Sequence, residues 1–158
     1  MLRLSPKVSE KPVTRRVLLV EDDVLLARPL LRLLHRAGYD VVHAQTCAEA
    51  LLAGGTFDLA VLDLELPDGR GTDLHTELLR LGTVPAAVFF TGARPPLLRR
   101  AERLTRCVEK SEGIDALLDA MAATLGELAL PVAAGASEMA PASPARDTAP
   151  RSEPRRQK

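Results

Sequence analysis

Four groups of residues in this chain carry oxygen or nitrogen chemistry, and each follows a short apolar run. Glu21 and Asp22 follow Val17–Val20, Asp63 follows Leu59–Leu62, Thr91 follows Ala86–Phe90, and Lys110 follows Cys107–Glu109. A carboxylate can hold a hard cation or attack an electrophile, while a hydroxyl and an ammonium can bond the oxygens of a phosphoryl group. Taken singly, none of these residues is informative. Thr favours strands, and an Asp near a strand end commonly caps or turns the chain, a role that suits Asp68 better than Asp63. Their recurrence is what counts. In an open parallel sheet the strands present their C-terminal ends on one edge, where such sheets place ligand sites. The sequence therefore predicts one acidic pocket built from residues far apart in the chain.

Elements able to position them alternate between strand-length apolar runs and segments of helical period, the pattern of repeated βαβ units. Five units are predicted. Val17–Val20 reads as the first strand, and Leu26, Leu30, Leu33, Leu34 and Ala37 recur at helical spacing up to Gly38. Pro29 falls inside that helix and should cost it one hydrogen bond. Tyr39–Ala44 is the second strand. Thr46 and Glu49 have capping-box spacing, so a short helix should run to Ala53 before Gly54-Gly55 breaks it. Asp58–Asp63 is apolar through its centre, as expected of a strand covered on both faces. A helix over 71–81 follows, then a strand over 84–90, a short helix from near Pro95, a strand over 106–109 and a last helix over 112–128.

The 158 residues, 46% hydrophobic and 27% charged, fit one compact domain with tails. The predicted organisation is a flexible extension over 1–14, a domain over 15–129, and a disordered tail over 130–158, rich in Pro and Ala and too poor in large apolar residues to offset its ordering entropy. Basic and acidic residues balance at 21 each, so no global field draws the chain to nucleic acid or to an anionic membrane. Neither a signal peptide nor a spanning segment is visible, and Cys47 and Cys107 have no metal-ligand or CxxC spacing. The expected setting is the cytoplasm, without membrane insertion. His35, His43 and His75 read as helix-surface or strand residues, neither ligands nor phosphodonors. Cys107 reads as a small buried hydrophobe.

Val20-Glu21-Asp22-Asp23, then Asp63-Leu-Glu-Leu-Pro67-Asp-Gly-Arg-Gly71, then Phe-Phe-Thr91-Gly, then Glu-Lys110 together resemble the receiver domain of bacterial two-component response regulators. The resemblance covers about residues 16–128. It implies an α/β fold of the flavodoxin-like kind, a doubly wound (βα)5 three-layer sandwich with strand order 2-1-3-4-5. It also implies a switch in a phosphorelay more than an enzyme, one that takes a phosphoryl group from a histidine kinase or phosphotransfer protein and signals by protein binding.

The chemistry follows residue by residue. Asp63 is the expected nucleophile, its carboxylate forming an acyl phosphate. Glu21 and Asp22 beside Asp63 crowd like charges, which calls for a cation, and Mg2+ suits hard oxygen ligands. By the resemblance, Asp22 and Asp63 touch the metal, Glu21 acts through water, and the backbone carbonyl of Glu65 completes the set. Asp23 is then a helix cap. Lys110, the only Lys between Val13 and Gln157, and Thr91 are expected to hold the phosphoryl oxygens.

Three features depart from the family pattern. Cys107 stands where receivers place an aromatic switch residue, Ser111 where a Pro usually follows the Lys, and the stretch from Thr91 to Lys110 is short. Glu65 and Ala93 lie where receivers tune the phosphoryl lifetime. Two other classes remain open: a pseudo-receiver or scaffold that binds partners without phosphate, and a phosphatase with an aspartyl-phosphate intermediate. In the latter the nucleophile follows the first strand, whereas here it follows the third. Direct DNA binding is disfavoured, since nothing after Leu128 forms a helix-turn-helix.

Overall fold

A computed structural model describes residues 13–92 and 104–129. In chain order they form β1 (Arg16–Val20), α1 (Val24–Arg36), β2 (Asp40–Ala44), α2 (Cys47–Leu52), β3 (Leu59–Leu62), β4 (Glu65–Leu66), β5 (Gly69–Arg70), α3 (Gly71–Arg80), β6 (Ala87–Thr91), β7 (Thr105–Glu109), a 3-10 turn (Lys110–Glu112) and α4 (Gly113–Ala129). Five strands pair in parallel in the order β2-β1-β3-β6-β7. Counted among themselves these are 2-1-3-4-5, as the sequence predicts. The predicted helix near Pro95, Ala93 and both tails lie outside the described residues.

Successive strand residues point to opposite faces, and both faces are covered. One face carries Leu18, Val20, Ala60, Leu62, Ala87 and Phe89, packed with Ala50 of α2 and Leu74 and Leu78 of α3. The other carries Val17, Leu19, Leu59, Val61, Val88 and Phe90, packed with Leu30 and Leu34 of α1 and Leu117, Met121 and Leu125 of α4. This double cover is why the strands read as continuous apolar runs and do not alternate. Each Val, Leu, Phe or Met side chain among these contributes about 1.5–3 kcal/mol on burial. Among the described residues no helix is long and apolar enough to cross a membrane.

Helix ends follow the polar signals in the sequence. Asp23 caps α1 by accepting from the backbone N–H groups of Leu25 and Leu26 at 2.9 and 3.4 Å. Pro29 stands inside α1 without ending it, and Gly38, at φ 91°, takes the left-handed turn that releases the chain toward β2. Thr46 caps α2 as predicted, accepting from the Glu49 N–H at 3.1 Å. Glu49 reaches back one residue further than a capping box requires, to the Gln45 N–H at 2.7 Å.

Several boundaries and placements differ from the sequence reading. The fourth parallel strand spans Ala87–Thr91 instead of 84–90, so Thr91 is its last residue, while Val84 is buried ahead of it. The last helix begins at Gly113, after the 3-10 turn. His75 is inside the core, edge-on to Phe89 with ring centroids 5.8 Å apart, and not on the helix surface. Cys107 is half-buried, packed against the cluster on the α2–α3 face, and burial pushes its thiol above the ordinary range. The hairpin β4–β5, pairing Glu65 with Arg70 and Leu66 with Gly69, was not predicted.

Candidate functional site

The parallel ladder sets the site's geometry. Val20 stands in register with Leu62, and backbone bonds continue one residue further: the Asp63 N–H donates to the Val20 carbonyl at 3.0 Å and the Glu21 N–H to the Ala44 carbonyl at 3.1 Å. Glu21 and Asp63 therefore leave adjacent strand ends side by side. With Asp22 they offer three carboxylate oxygens within 4.8 Å of one another. Glu21 and Asp63 are 2% and 8% exposed, whereas Asp22 is open to solvent.

Lys110 arrives from the end of β7 and answers two of these charges. Its Nζ lies 2.6 Å from Asp63 Oδ2 and 2.9 Å from Glu21 Oε2. Burial works against the ammonium, but the two carboxylates outweigh it and hold Lys110 above the ordinary lysine range. For Glu21, burial dominates and raises its carboxyl above the usual range, with Lys110 opposing. The other Asp63 oxygen, Oδ1, accepts a long bond from the Glu65 N–H at 3.3 Å. Thr91, buried at the end of β6, closes the third side.

These residues line a cleft of about 410 Å³ that also takes in Asp23 and Gly92. Every residue that the sequence predicts for the site, Glu21, Asp22, Asp63, Glu65, Thr91 and Lys110, borders this one cleft. The three clustered carboxylates against one ammonium carry two formal negative charges, to which Asp23 and Glu65 at the border of the cleft add. That charge, the all-oxygen donor set and the spacing suit Mg2+, whose opposite ligands stand about 4 Å apart at bond lengths of about 2.1 Å.

Three contacts here were not visible in the sequence. His43, on β2, donates from Nε2 to the Glu21 backbone carbonyl at 2.8 Å, and so touches the main chain of the acidic group, not its carboxylate. Gly71 opens α3 directly against the end of β3: a Cβ there would stand 2.0 Å from the Asp63 carbonyl oxygen. Asp68 caps a helix, as its type suggests, but the helix is α2, about twenty residues earlier in the chain. At Lys110 the chain enters a 3-10 helix capped by Glu109 and Glu112, and no peptide bond among the described residues is cis.

Comparison with known proteins agrees with this geometry. The family model described as response regulator receiver domain matches residues 17–122. Transcriptional regulatory protein VxrB of Vibrio cholerae is 49% identical over 73 residues, 46% of this chain and 30% of that protein. The KDP operon transcriptional regulatory protein KdpE of Escherichia coli is 39% identical over 74 residues, 46% of this chain and 33% of that protein. The chain thus spans about a third of the length of these relatives. Among solved structures, a CheY-like receiver domain protein from Methanospirillum hungatei superposes with a TM-score of 0.60 at 28% identity, covering 72% of this chain and 95% of that one. The receiver domain of the hybrid histidine kinase CckA superposes at 0.58 with 29% identity, covering 70% and 98%.

Proposed function

The chain belongs to the response regulator receiver family, and from that premise we propose that it accepts a phosphoryl group on Asp63 from a histidine kinase or phosphotransfer protein. In this reading residues 15–129 form the receiver domain of a cytoplasmic response regulator, with 1–14 and 130–158 as flanking segments, and the domain signals by protein contact and not by direct DNA binding. The observation that carries the reading is the convergence of Glu21, Asp22, Asp63, Thr91 and Lys110 on one cleft.

Asp63 acts as nucleophile: a carboxylate oxygen forms the O–P bond as the N–P bond of phosphohistidine breaks, and the leaving imidazole nitrogen keeps the electron pair. Oδ1, which accepts the long Glu65 bond while Oδ2 takes the short Lys110 contact, is the more weakly held of the two oxygens. Lys110 neutralises Asp63 before the reaction and bonds a phosphoryl oxygen after it. Thr91 donates its hydroxyl to a second phosphoryl oxygen. Asp22, Asp63 and the Glu65 carbonyl would hold Mg2+, with Glu21 acting through water, and the bound ion supplies the positive charge that offsets the phosphoryl oxygens. Such chemistry makes the protein a switch, with no enzymatic turnover of a free substrate.

The rim of the cleft on the α1 side offers a protein donor a footing. Leu25, two residues beyond Asp23, is 83% exposed, and Arg28, Arg32 and Arg36 follow it as exposed residues at helical spacing. A second reading, a scaffold that binds partners regardless of phosphate, is favoured by two departures: half-buried Cys107 in place of the aromatic residue that usually relays the change, and Ser111 where a Pro usually follows the Lys. Intact-protein mass spectrometry after treatment with acetyl phosphate and Mg2+ separates the two. The proposal expects a single phosphoryl adduct that disappears when the metal is chelated. An unmodified mass with acetyl phosphate and with a phosphorylated histidine donor alike would favour the scaffold.

A further inference from the structure

Most of the N-terminal capping of α2 comes from a residue of the acceptor loop. The backbone N–H groups of Cys47 and Ala48 donate to Asp68 Oδ1 and Oδ2 at 2.8 and 2.9 Å. The third N–H, of Glu49, donates to Thr46 Oγ1. The first N–H groups of a helix have no partner within it, and that end favours an anion. These same two bonds hold the Asp68 carboxyl below the ordinary range.

Asp68 stands at the turn of the β4–β5 hairpin, and that hairpin begins at Glu65. With two residues per strand, a hairpin has little stability of its own. At its base, the Gly71 N–H donates to the Leu64 carbonyl at 2.9 Å, and Leu66 is buried beneath it. Among the described residues, Asp68 makes the only side-chain hydrogen bonds that join the hairpin to α2. The Glu65 N–H meets Asp63 Oδ1 at the long distance of 3.3 Å, so a small shift of the hairpin changes what the acceptor carboxylate touches.

We propose that Asp68 is a positioning residue: by clamping the hairpin to the start of α2 it fixes the Glu65 main chain against Asp63. The proposal rests on the reading of Asp63 as acceptor for its functional consequence, though the clamp itself can be tested without phosphate or metal. The competing explanation is that Asp68 merely stabilises α2. Thr46→Ala provides the comparison, because it removes a cap from the same helix without touching the hairpin.

Backbone amide exchange, measured by NMR on the metal-free protein, is compared for wild type, Asp68→Ala, Asp68→Asn and Thr46→Ala. Magnesium affinity of each is then measured by calorimetry. Asp68→Ala is expected to speed exchange at Glu65 and Gly71 by about tenfold or more and to weaken Mg2+ binding by about tenfold or more. Thr46→Ala should speed exchange at Glu49 but leave Glu65, Gly71 and the metal within about twofold of wild type. Asp68→Asn, which keeps one acceptor oxygen, should fall between, and it carries the comparison if Asp68→Ala does not fold. Unchanged Glu65 and Gly71 exchange without Asp68, or an equal loss in Thr46→Ala, would overturn the proposal. A wild type that binds no Mg2+ would instead count against the acceptor reading, while the exchange data still decide the clamp.

Discussion

Gly71→Ala is expected to unfold the protein or severely loosen the end of β3, against the ordinary sign of that substitution. Gly to Ala within a helix usually stabilises by about 0.4–1 kcal/mol, because the unfolded chain loses freedom. Here the new Cβ would stand 2.0 Å from the Asp63 carbonyl oxygen, 3.0 Å from its carbon and 3.2 Å from the Leu64 Cα. All three are backbone atoms, so no side chain can rotate away. Either the first turn of α3 or the end of β3 must move, and β3 is held by ladders on both sides. The steric term wins, and we expect a net loss of about 3 kcal/mol or more, read as a lower midpoint in urea unfolding. Where the variant still folds, phosphoryl acceptance should fall about a hundredfold, the scale of effect for a displacement near 1 Å at a reacting group. A variant as stable and as readily phosphorylated as wild type would show that the strand end tolerates the shift.

Lys110→Ala removes the one ammonium that faces two buried carboxylates. Glu21 and Asp63 would then confront each other across strands held in fixed register. Breaking a buried ion pair costs about 3–5 kcal/mol, and the low end, about 3 kcal/mol, applies because a quarter of the Lys110 side chain is exposed. That loss should appear in the metal-free protein at neutral pH. Millimolar Mg2+ should then raise the melting temperature of the variant more than that of wild type, since a cation entering this acidic group relieves the repulsion that Lys110 otherwise balances. Lys110→Arg should not restore phosphoryl acceptance, because a planar guanidinium does not replace a compact point charge 2.6 Å from Asp63 Oδ2. Equal magnesium shifts in wild type and variant would mean that Lys110 and the ion do not act on the same carboxylates.

The fold was legible because both faces of the sheet are covered. A strand such as Leu59–Leu62, buried at every position, announces itself as an uninterrupted apolar run, and the polar residue that ends it stands out. The site was legible for the same reason, once the strands were taken as parallel: Glu21, Asp63, Thr91 and Lys110 all lie at C-terminal strand ends, which the topology brings to one edge. Lys110 stands out by composition alone, as a lone Lys in an Arg-rich stretch of chain, whereas its two carboxylate partners follow only from the fold.

What was missed depends on contacts that no local pattern encodes. The β4–β5 hairpin is too short for any periodicity, although Leu66-Pro67-Asp68-Gly69 carries turn chemistry that marks it. Thr46 and Glu49 declared the start of α2, but the Asp68 bonds to it span about twenty residues. The Gly71 approach to Asp63 is a property of how α3 meets β3, and glycine before a helix is otherwise unremarkable. His75 has the helical spacing of a surface residue, yet it turns inward against Phe89. Cys107, expected to be buried, is only half so because β7 is an edge strand.

The most direct test of the central claim locates the phosphoryl group itself. The protein is phosphorylated with acetyl phosphate and Mg2+, reduced with borohydride, which converts an aspartyl phosphate to homoserine, then digested and sequenced by tandem mass spectrometry. Homoserine at position 63 in wild type, absent from Asp63→Asn and from the chelated sample, is the expected result. Homoserine at Asp22 or Asp68 instead, or at no position while the intact mass still gains phosphate, would contradict Asp63 as the acceptor.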